Sequence, residues 1–423
     1  MNHFELIEGE LWCEQAPLAR IADEVGTPTY VYSSATFERH YTVFRDALRA
    51  HPQLGEPLIA YAVKANSNVS VLSTLAKLGA GADTVSEGEI RRAMAAGVPP
   101  GRIVFSGVGK TAAELAFALD VGVAEINVES EPEIALLSQI AAERGARPAI
   151  AIRVNPDVGA GGHAKISTGR PENKFGVSFE EAERLYAQAA GNAYLEPVGV
   201  ACHIGSQITS LAPLEEAFVK MRGLVEALRA LGLGVERLDL GGGLGVPYFH
   251  QPDPPSPEDY AAMVARVVGG LGLALAFEPG RVIAANAGVL LSRVLHVHAR
   301  PDGRRFLVLD AAMNDLIRPA MYDAYHDIRP VTPRGGEPVA YDVVGPVCET
   351  GDTFTRDRPL PPMEAGDLVA FMTAGAYGAV MSSEYNTRPL TPEVLVRGAA
   401  FAVVRPRPTY DAILAREPLA PWL

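Results

Sequence analysis

The chain has 423 residues, 48% hydrophobic and 21% charged, which excludes a disordered chain and leaves room for one large domain with a smaller one, or about three small ones. Acidic residues outnumber basic ones by 50 to 37, and the net charge of −13 argues against sequence-independent binding to nucleic acid or to an anionic membrane surface. The three cysteines, Cys13, Cys202 and Cys348, form no C-x-x-C pair, which speaks against a disulfide framework or a metal cluster and fits a reducing compartment.

In chain order, the opening MNHFELIEGE has neither the basic nor the apolar segment of a secretory signal, so a cytoplasmic location is expected. The first thirty or so residues are strand-like, and 1–35 is expected to join a β domain. From about Thr36 to Ala285 the pattern alternates. Apolar runs (LIAYAV, IVFSGV, EINVES, AIAIRVN, VGVACHI, RLDLGGG, LALAFEPG) are separated by helical stretches such as Ala112–Leu119, Glu131–Arg144, Phe179–Ala190 and Pro213–Leu231. A repeat count near eight predicts an α/β domain over 36–285, a (β/α)8 barrel. After about Val289 the runs become β-branched, as in VLLSRVLHVHA, RFLVLD and YDVVGP, with Gly and Pro turns between them. A mostly antiparallel β-sandwich or barrel domain is predicted over 286–423. The longest uncharged stretch, Leu368–Ser383, contains Gly and polar residues and falls short of the roughly 20 apolar residues of a membrane span.

The chain has six lysines, and one of them, Lys64 in YAVKAN, closes an apolar strand just before the turn signal Asn66–Asn68. In a barrel that is the C-terminal rim, where active sites lie, and desolvation there makes an amine a better nucleophile. Taken alone, Lys64 reads more readily as a solvated strand end than as a nucleophile. DLGGGLGVPY (Asp239–Tyr248) offers glycine amides to a phosphate, and EPGR (Glu278–Arg281) offers more beside an acid and an arginine. The glycine run by itself reads equally as a tight turn, and it lacks the spacing of a dinucleotide fingerprint. GVGKT (Gly107–Thr111) ends like a P-loop, but its required first glycine would fall on Val104. Two late phosphate-holding loops and a rim lysine together point to pyridoxal phosphate, with Glu278 as the partner of its ring nitrogen.

With YAVKAN, DTVSEGEI, RVNPD, HAKISTG, NKFGV, CHIGSQ, LDLGGGLGVPY, EPGR, DAAMNDLIRPAMY, GPVCETGD and AGAYGAVMSSEYN in this order, the whole chain resembles the barrel-type (fold-type III) pyridoxal-phosphate decarboxylases, and among them the bacterial diaminopimelate decarboxylases. Gly161–Gly162 stand where the family usually carries bulkier polar residues. The resemblance implies that Lys64 links to the cofactor and that His203 lies against the pyridine ring. It places Ser206, Gly242, Gly243 and the amides of Glu278, Pro279, Gly280 and Arg281 at the phosphate, and Glu278 at the ring nitrogen. Asp83 and Glu89 would support Lys64 and the cofactor, Asp83 counting among the cofactor-binding residues, and Tyr377 would touch cofactor and substrate. Arg281, Arg318 and Tyr322 would hold the distal carboxylate of meso-2,6-diaminopimelate, and Glu349 its distal ammonium. Cys348 would donate the proton after carbon dioxide leaves. Cys348 and Glu349 would come from the partner subunit of a homodimer.

Three alternatives stay open at this stage. An ornithine, lysine or arginine decarboxylase would share the cofactor site, but that family carries an acid in place of Arg318. A carrier-bound or modified amino acid is another possible substrate class. A binding protein of the same fold without catalysis is a third, and an oxidoreductase read from GGGLG alone ranks last. No metal site is expected.

Overall fold

Eight parallel strands close into a barrel in chain order: β1 (Leu58–Ala62), β2 (Gly81–Thr84), β3 (Ile103–Phe105), β4 (Glu125–Val128), β5 (Ala149–Val154), β6 (Glu196–Cys202), β7 (Arg237–Asp239) and β8 (Ala274–Phe277), with β8 pairing back onto β1. The computed structural model describes residues 2–159, 168–169, 173–248 and 253–423, so Gly161 and Gly162 lie outside the described residues. The (β/α)8 expectation holds. Seven of the strands are the apolar runs of the sequence; β2 is not, because it reads Gly-Ala-Asp-Thr. Its composition has a steric cause. A Cβ on Gly81 would lie 2.4 Å from the Arg102 carbonyl oxygen of the adjoining chain, so the position admits no side chain.

Seven of the eight strands are followed by a capped helix. Asn68, Ser86, Thr111, Ser130, Ser178, Ser210 and Ser256 each accept a backbone N–H of the helix that follows. Such a cap contributes about 1 kcal/mol and sets where the chain turns back. The helix Leu211–Ala230 shows how the outer ring packs: it buries Leu214, Ala217, Phe218, Met221, Leu224, Val225 and Leu228, three or four apart. These elements form one compact unit, Glu38–Pro247 with the chain on to Ile283.

The second unit comprises the chain up to Phe37, Tyr248, and Ala284–Leu423. Its nine-stranded sheet is organised by the long strand Gly288–Ala299, which pairs antiparallel with Thr29–Ser33, Arg305–Leu309 and Leu368–Phe371. The expectation that N-terminal chain joins the C-terminal β domain is realised by Thr29–Ser33, inserted between Gly288–Ala299 and Glu393–Arg397. Pairing is mostly antiparallel, with parallel contacts at Thr29–Ser33/Glu393–Arg397 and Arg305–Leu309/Val339–Val344. The first residues hold more than strands. Leu18–Val25 is a helix, with Leu18, Ile21 and Ala22 buried, and Gly26 at φ +84° closes it. It packs with Phe4, Leu11 and Cys13 onto Val289, Leu291, Val394 and Val396 of the large sheet. Its apolar residues do fall on one face, but eight residues between strand-like segments make just over two turns, too short a run to stand out in the sequence.

Candidate active site

At the C-terminal end of β1 the chain enters a 3-10 turn, Val63–Ala65, which lifts Lys64 onto the barrel rim. Its Nζ donates to Asp83 Oδ2 at 2.8 Å, and β1 and β2 run in a register that puts Ala62 beside Asp83. The Asp83 side chain is fully buried and its Oδ1 has no hydrogen-bond partner. Glu89 stands behind this pair: Oε2 accepts the Val85 N–H at 2.8 Å, and burial, reinforced by the charge of Asp83, raises its carboxyl to about 7.

His203 directly follows β6. Its Nδ1 accepts the Gly242 N–H at 3.2 Å, and because a backbone N–H can only donate, the ring proton sits on Nε2. Burial, then the positive charges of Lys64 and Arg153, push the imidazole well below its ordinary value, so the ring is neutral.

The glycine run is as crowded as its composition implies. A Cβ on Gly242 would lie 2.2 Å from the Glu278 carbonyl oxygen, and one on Gly243, at φ +111°, 2.6 Å from that of Gly205. Gly241–Leu244 and Pro279–Gly280 line one small cavity with Phe44, Tyr260 and Val282, so the two candidate anion loops meet. Arg281 is buried, and its Nε and Nη2 both donate to Ser206 Oγ, at 3.2 and 3.0 Å. Its guanidinium therefore lies on the Ser206 side of the rim.

Glu278 is buried at the end of β8, with Ser106 Oγ 3.5 Å from Oε1 and Asn127 Nδ2 donating to that hydroxyl at 3.1 Å. Burial, then the charges of Asp239 and Asp83, hold its carboxyl well above the usual range, opposed by Lys64 and Arg153. Asp239 closes β7 and accepts the Gly241 N–H at 2.8 Å, tying the acid cluster to the glycine loop.

The barrel thus gathers Lys64, Asp83, His203, Ser206, Gly242, Gly243 and Glu278–Arg281 at one end. Sequence reasoning missed Asp239, Ser106, Asn127 and Arg153. Arg153 sits inside the quoted RVNPD run; its Nη1 donates to Glu129 Oε1 at 2.8 Å and its guanidinium lies over the Phe175 ring. Ser106, just after β3, and Asn127, inside β4, gave no signal beyond their place in the strand runs. Lys110 of the rejected GVGKT loop is structural: it is buried and donates to Gly107 O, Asn127 O and Glu133 Oε1 at 2.8, 2.6 and 2.6 Å.

The second unit carries the remaining candidates. Arg318 is buried at the start of the short helix Arg318–Tyr322, and Tyr322 is half-buried. Tyr377 holds φ +55°, a left-handed conformation that a bulky residue rarely keeps without a reason. Cys348 and Glu349 are exposed. Their loop is held from behind by the buried Asp352, whose carboxylate accepts the Met313 N–H at 2.6 Å and the Val347 N–H at 2.7 Å. A Tyr385 hydroxyl bonds to the Glu349 carboxylate. Among the described residues no group of three or more His, Cys, Asp or Glu side chains is placed to hold a metal ion, and no helix is long and apolar enough to cross a membrane.

Residues 38–285 match the family model described as the pyridoxal binding domain of pyridoxal-dependent decarboxylases. Over their full lengths, the chain is 49% identical to a diaminopimelate decarboxylase of Zymomonas mobilis and 50% identical to one of Pseudomonas aeruginosa. The chain belongs to the diaminopimelate decarboxylase family. Solved structures of that family agree with it closely. The Helicobacter pylori enzyme complexed with L-lysine superimposes with a TM-score of 0.90 at 42% identity, covering 95% of this chain and 99% of that one. The M. jannaschii enzyme in co-complex with L-lysine gives 0.95 at 36% identity, covering 100% of each. A lysine/ornithine decarboxylase of Vibrio vulnificus, at 22% identity and a TM-score of 0.79, shares the fold. The chain is accordingly a pyridoxal-dependent amino-acid decarboxylase.

Proposed function

We propose that the chain decarboxylates meso-2,6-diaminopimelate at its D-centre, releasing L-lysine and carbon dioxide as the last step of lysine biosynthesis in the cytoplasm. The observation that carries this reading is the Lys64 amine at the barrel rim, 2.8 Å from a fully buried Asp83 and in the electrostatic reach of Glu278. Full-length similarity to diaminopimelate decarboxylases supplies the substrate.

The residues present fit pyridoxal phosphate. Asp83 keeps a buried carboxylate oxygen without a partner, the glycine loop meets Pro279–Gly280 around one cavity, and Glu278 is an acid buried in the same cluster. When bound, this cofactor supplies an aldehyde for amine exchange and a protonated ring that accepts the electron pair of the breaking C–C bond.

Lys64 Nζ would form the covalent link and yield it to the substrate amine, while Asp83 keeps Nζ aimed at the site. Glu278 would face the ring nitrogen and hold its proton, and the neutral His203 would lie flat against the ring without adding a competing charge. Backbone N–H groups of Gly242, Gly243 and Glu278–Arg281, with the Ser206 hydroxyl, would bind the phosphate. Arg318, Tyr322 and Arg281 would grip the distal carboxylate, and Glu349 the distal ammonium, orienting the scissile bond. Tyr377 would contact cofactor and substrate. Cys348 would deliver a proton to the reacting carbon, with Cys348 and Glu349 contributed from the partner subunit of a homodimer.

The test is decarboxylation assayed on meso-diaminopimelate, ornithine and lysine with added and with stripped cofactor. Turnover confined to meso-diaminopimelate and restored by pyridoxal phosphate is the expected result; preferential turnover of ornithine or lysine would overturn the substrate assignment.

A further inference from the structure

Arg318 is the buried cation of the second unit, and the partners described for its guanidinium are neutral. Nη1 lies 2.9 Å from Nε2 of His326, eight residues on, and the Tyr248 ring sits 5.6 Å beneath Cζ. His326 is itself buried, at 3% exposure, with Nδ1 2.9 Å from the Met372 carbonyl oxygen and its ring edge-on to Tyr248.

These contacts admit one protonation state. A guanidinium has only donors, so Nε2 must accept; a carbonyl oxygen only accepts, so Nδ1 must carry the proton. Both ring nitrogens are therefore committed, and the imidazole is neutral. A doubly protonated ring would set the Nε2–H donor against an N–H donor of Arg318 and lose that bond.

We infer that His326 is the positioning residue of Arg318: it orients the guanidinium through a neutral acceptor while leaving the full positive charge for the distal carboxylate of the substrate. The inference rests on Arg318 holding that carboxylate. A carboxylate in place of His326 would orient the guanidinium equally well, but it would also neutralise it and compete with the substrate. A neutral ring anchored by Met372 supplies direction alone. The Tyr248 ring faces both partners, 5.6 Å from Arg318 Cζ and edge-on to His326. Charged groups described at this segment include Arg358, whose Nη2 donates to the His326 carbonyl oxygen at 3.3 Å, and Asp327, 3.8 Å from Arg358 Nη1 and 2.7 Å from Arg329 Nε.

Two substitutions separate orientation from packing. In His326→Gln the longer amide can place an oxygen near the position of Nε2 and still accept from Arg318. In His326→Asn the shorter amide reaches only toward Met372. Each variant is prepared as the holoenzyme and assayed on meso-diaminopimelate, with the visible absorbance of bound cofactor and the melting temperature as controls. The expected result is a KM about tenfold or more above wild type for Asn, recovery towards wild type for Gln, and a much smaller change in kcat. His326→Asn added to Arg318→Lys should raise KM no further than Arg318→Lys alone.

Equal KM values for Asn, Gln and wild type, or a loss confined to kcat, would overturn the inference. If Arg318→Ala raises KM and His326→Asn does not, the positioning role alone falls; if Arg318→Ala leaves KM unchanged, the assignment of Arg318 to the substrate falls with it. A readout on the unmodified protein covers the case in which the variants fail to fold. In histidine-15N-labelled protein, His326 should show a protonated Nδ1 and an unprotonated Nε2, and the opposite pattern would sink the proposal.

Discussion

The barrel rim and the GPVCETGD loop hold their reactive groups in opposite ways. At the rim, Lys64, His203 and Glu278 are each fixed by a neighbour of their own unit: Asp83 for the amine, Gly242 for the imidazole, Ser106 for the carboxyl. Charge is buried there in a mixed cluster, which keeps His203 neutral and Glu278 hard to ionise. On the loop, Cys348 and Glu349 are exposed, and the buried Asp352 holds them through the backbone. The rim is a site organised within one unit. The loop is shaped in advance, yet its side chains lack the desolvated surroundings that acid catalysis favours. A place in the site of a partner subunit, which we propose and which the family resemblance implies, would supply those surroundings.

The comparison breaks most sharply on Lys64. Lys64→Ala should abolish turnover, and borohydride reduction of wild type followed by peptide mapping should place the pyridoxyl label on the Lys64 peptide; a label elsewhere would end the assignment. Cys348→Ala should lower kcat by about 10²–10⁴ with the cofactor still bound, the range expected for loss of a positioned proton donor. Mixing the two inactive variants tests the division of labour directly. Re-assorted subunits should recover about a quarter of wild-type activity, because half the dimers then hold one intact site. No recovery would mean that Cys348 serves its own barrel.

A smaller effect is expected behind the loop. Asp352→Ala removes the acceptor of two backbone N–H groups and should destabilise the second unit by about 1–3 kcal/mol, read by denaturant melts, and lower kcat without releasing cofactor. The smallest is a pH effect within the barrel. Burial, with the charge of Asp239, raises the Glu125 carboxyl to about 7. The folded chain thus holds a proton that the unfolded chain releases near pH 4, so the stability tied to Glu125 is greatest at low pH and is lost as pH rises to about 7. Glu125→Gln should melt above wild type at pH 8, with the gap closing towards pH 5; a constant gap would refute the cause.

The rim lysine, the glycine loop and EPGR were legible because each follows an apolar run whose period marks a strand, and strand ends set the rim. Asp239, Ser106 and Asn127 were not, since a single polar residue in or just after a strand gives no period and becomes meaningful only when distant strands close the ring. The strand Gly81–Thr84 was hidden for a related reason: its glycine answers to the Arg102 carbonyl at the turn just before the neighbouring strand. The helix Leu18–Val25 was hidden by its brevity.

Local chemistry, written in the order of residues, determined the barrel, the cofactor class and the residue types of the site, because strand period, turn glycines and a rim amine are short-range features. Tertiary structure decided which acids share the floor beneath Lys64, which tautomer His203 and His326 adopt, and that Arg281 turns to Ser206. Those depend on atoms brought within about 3 Å from segments far apart in the chain, where hydrogen-bond direction and desolvation, rather than propensity, set the outcome.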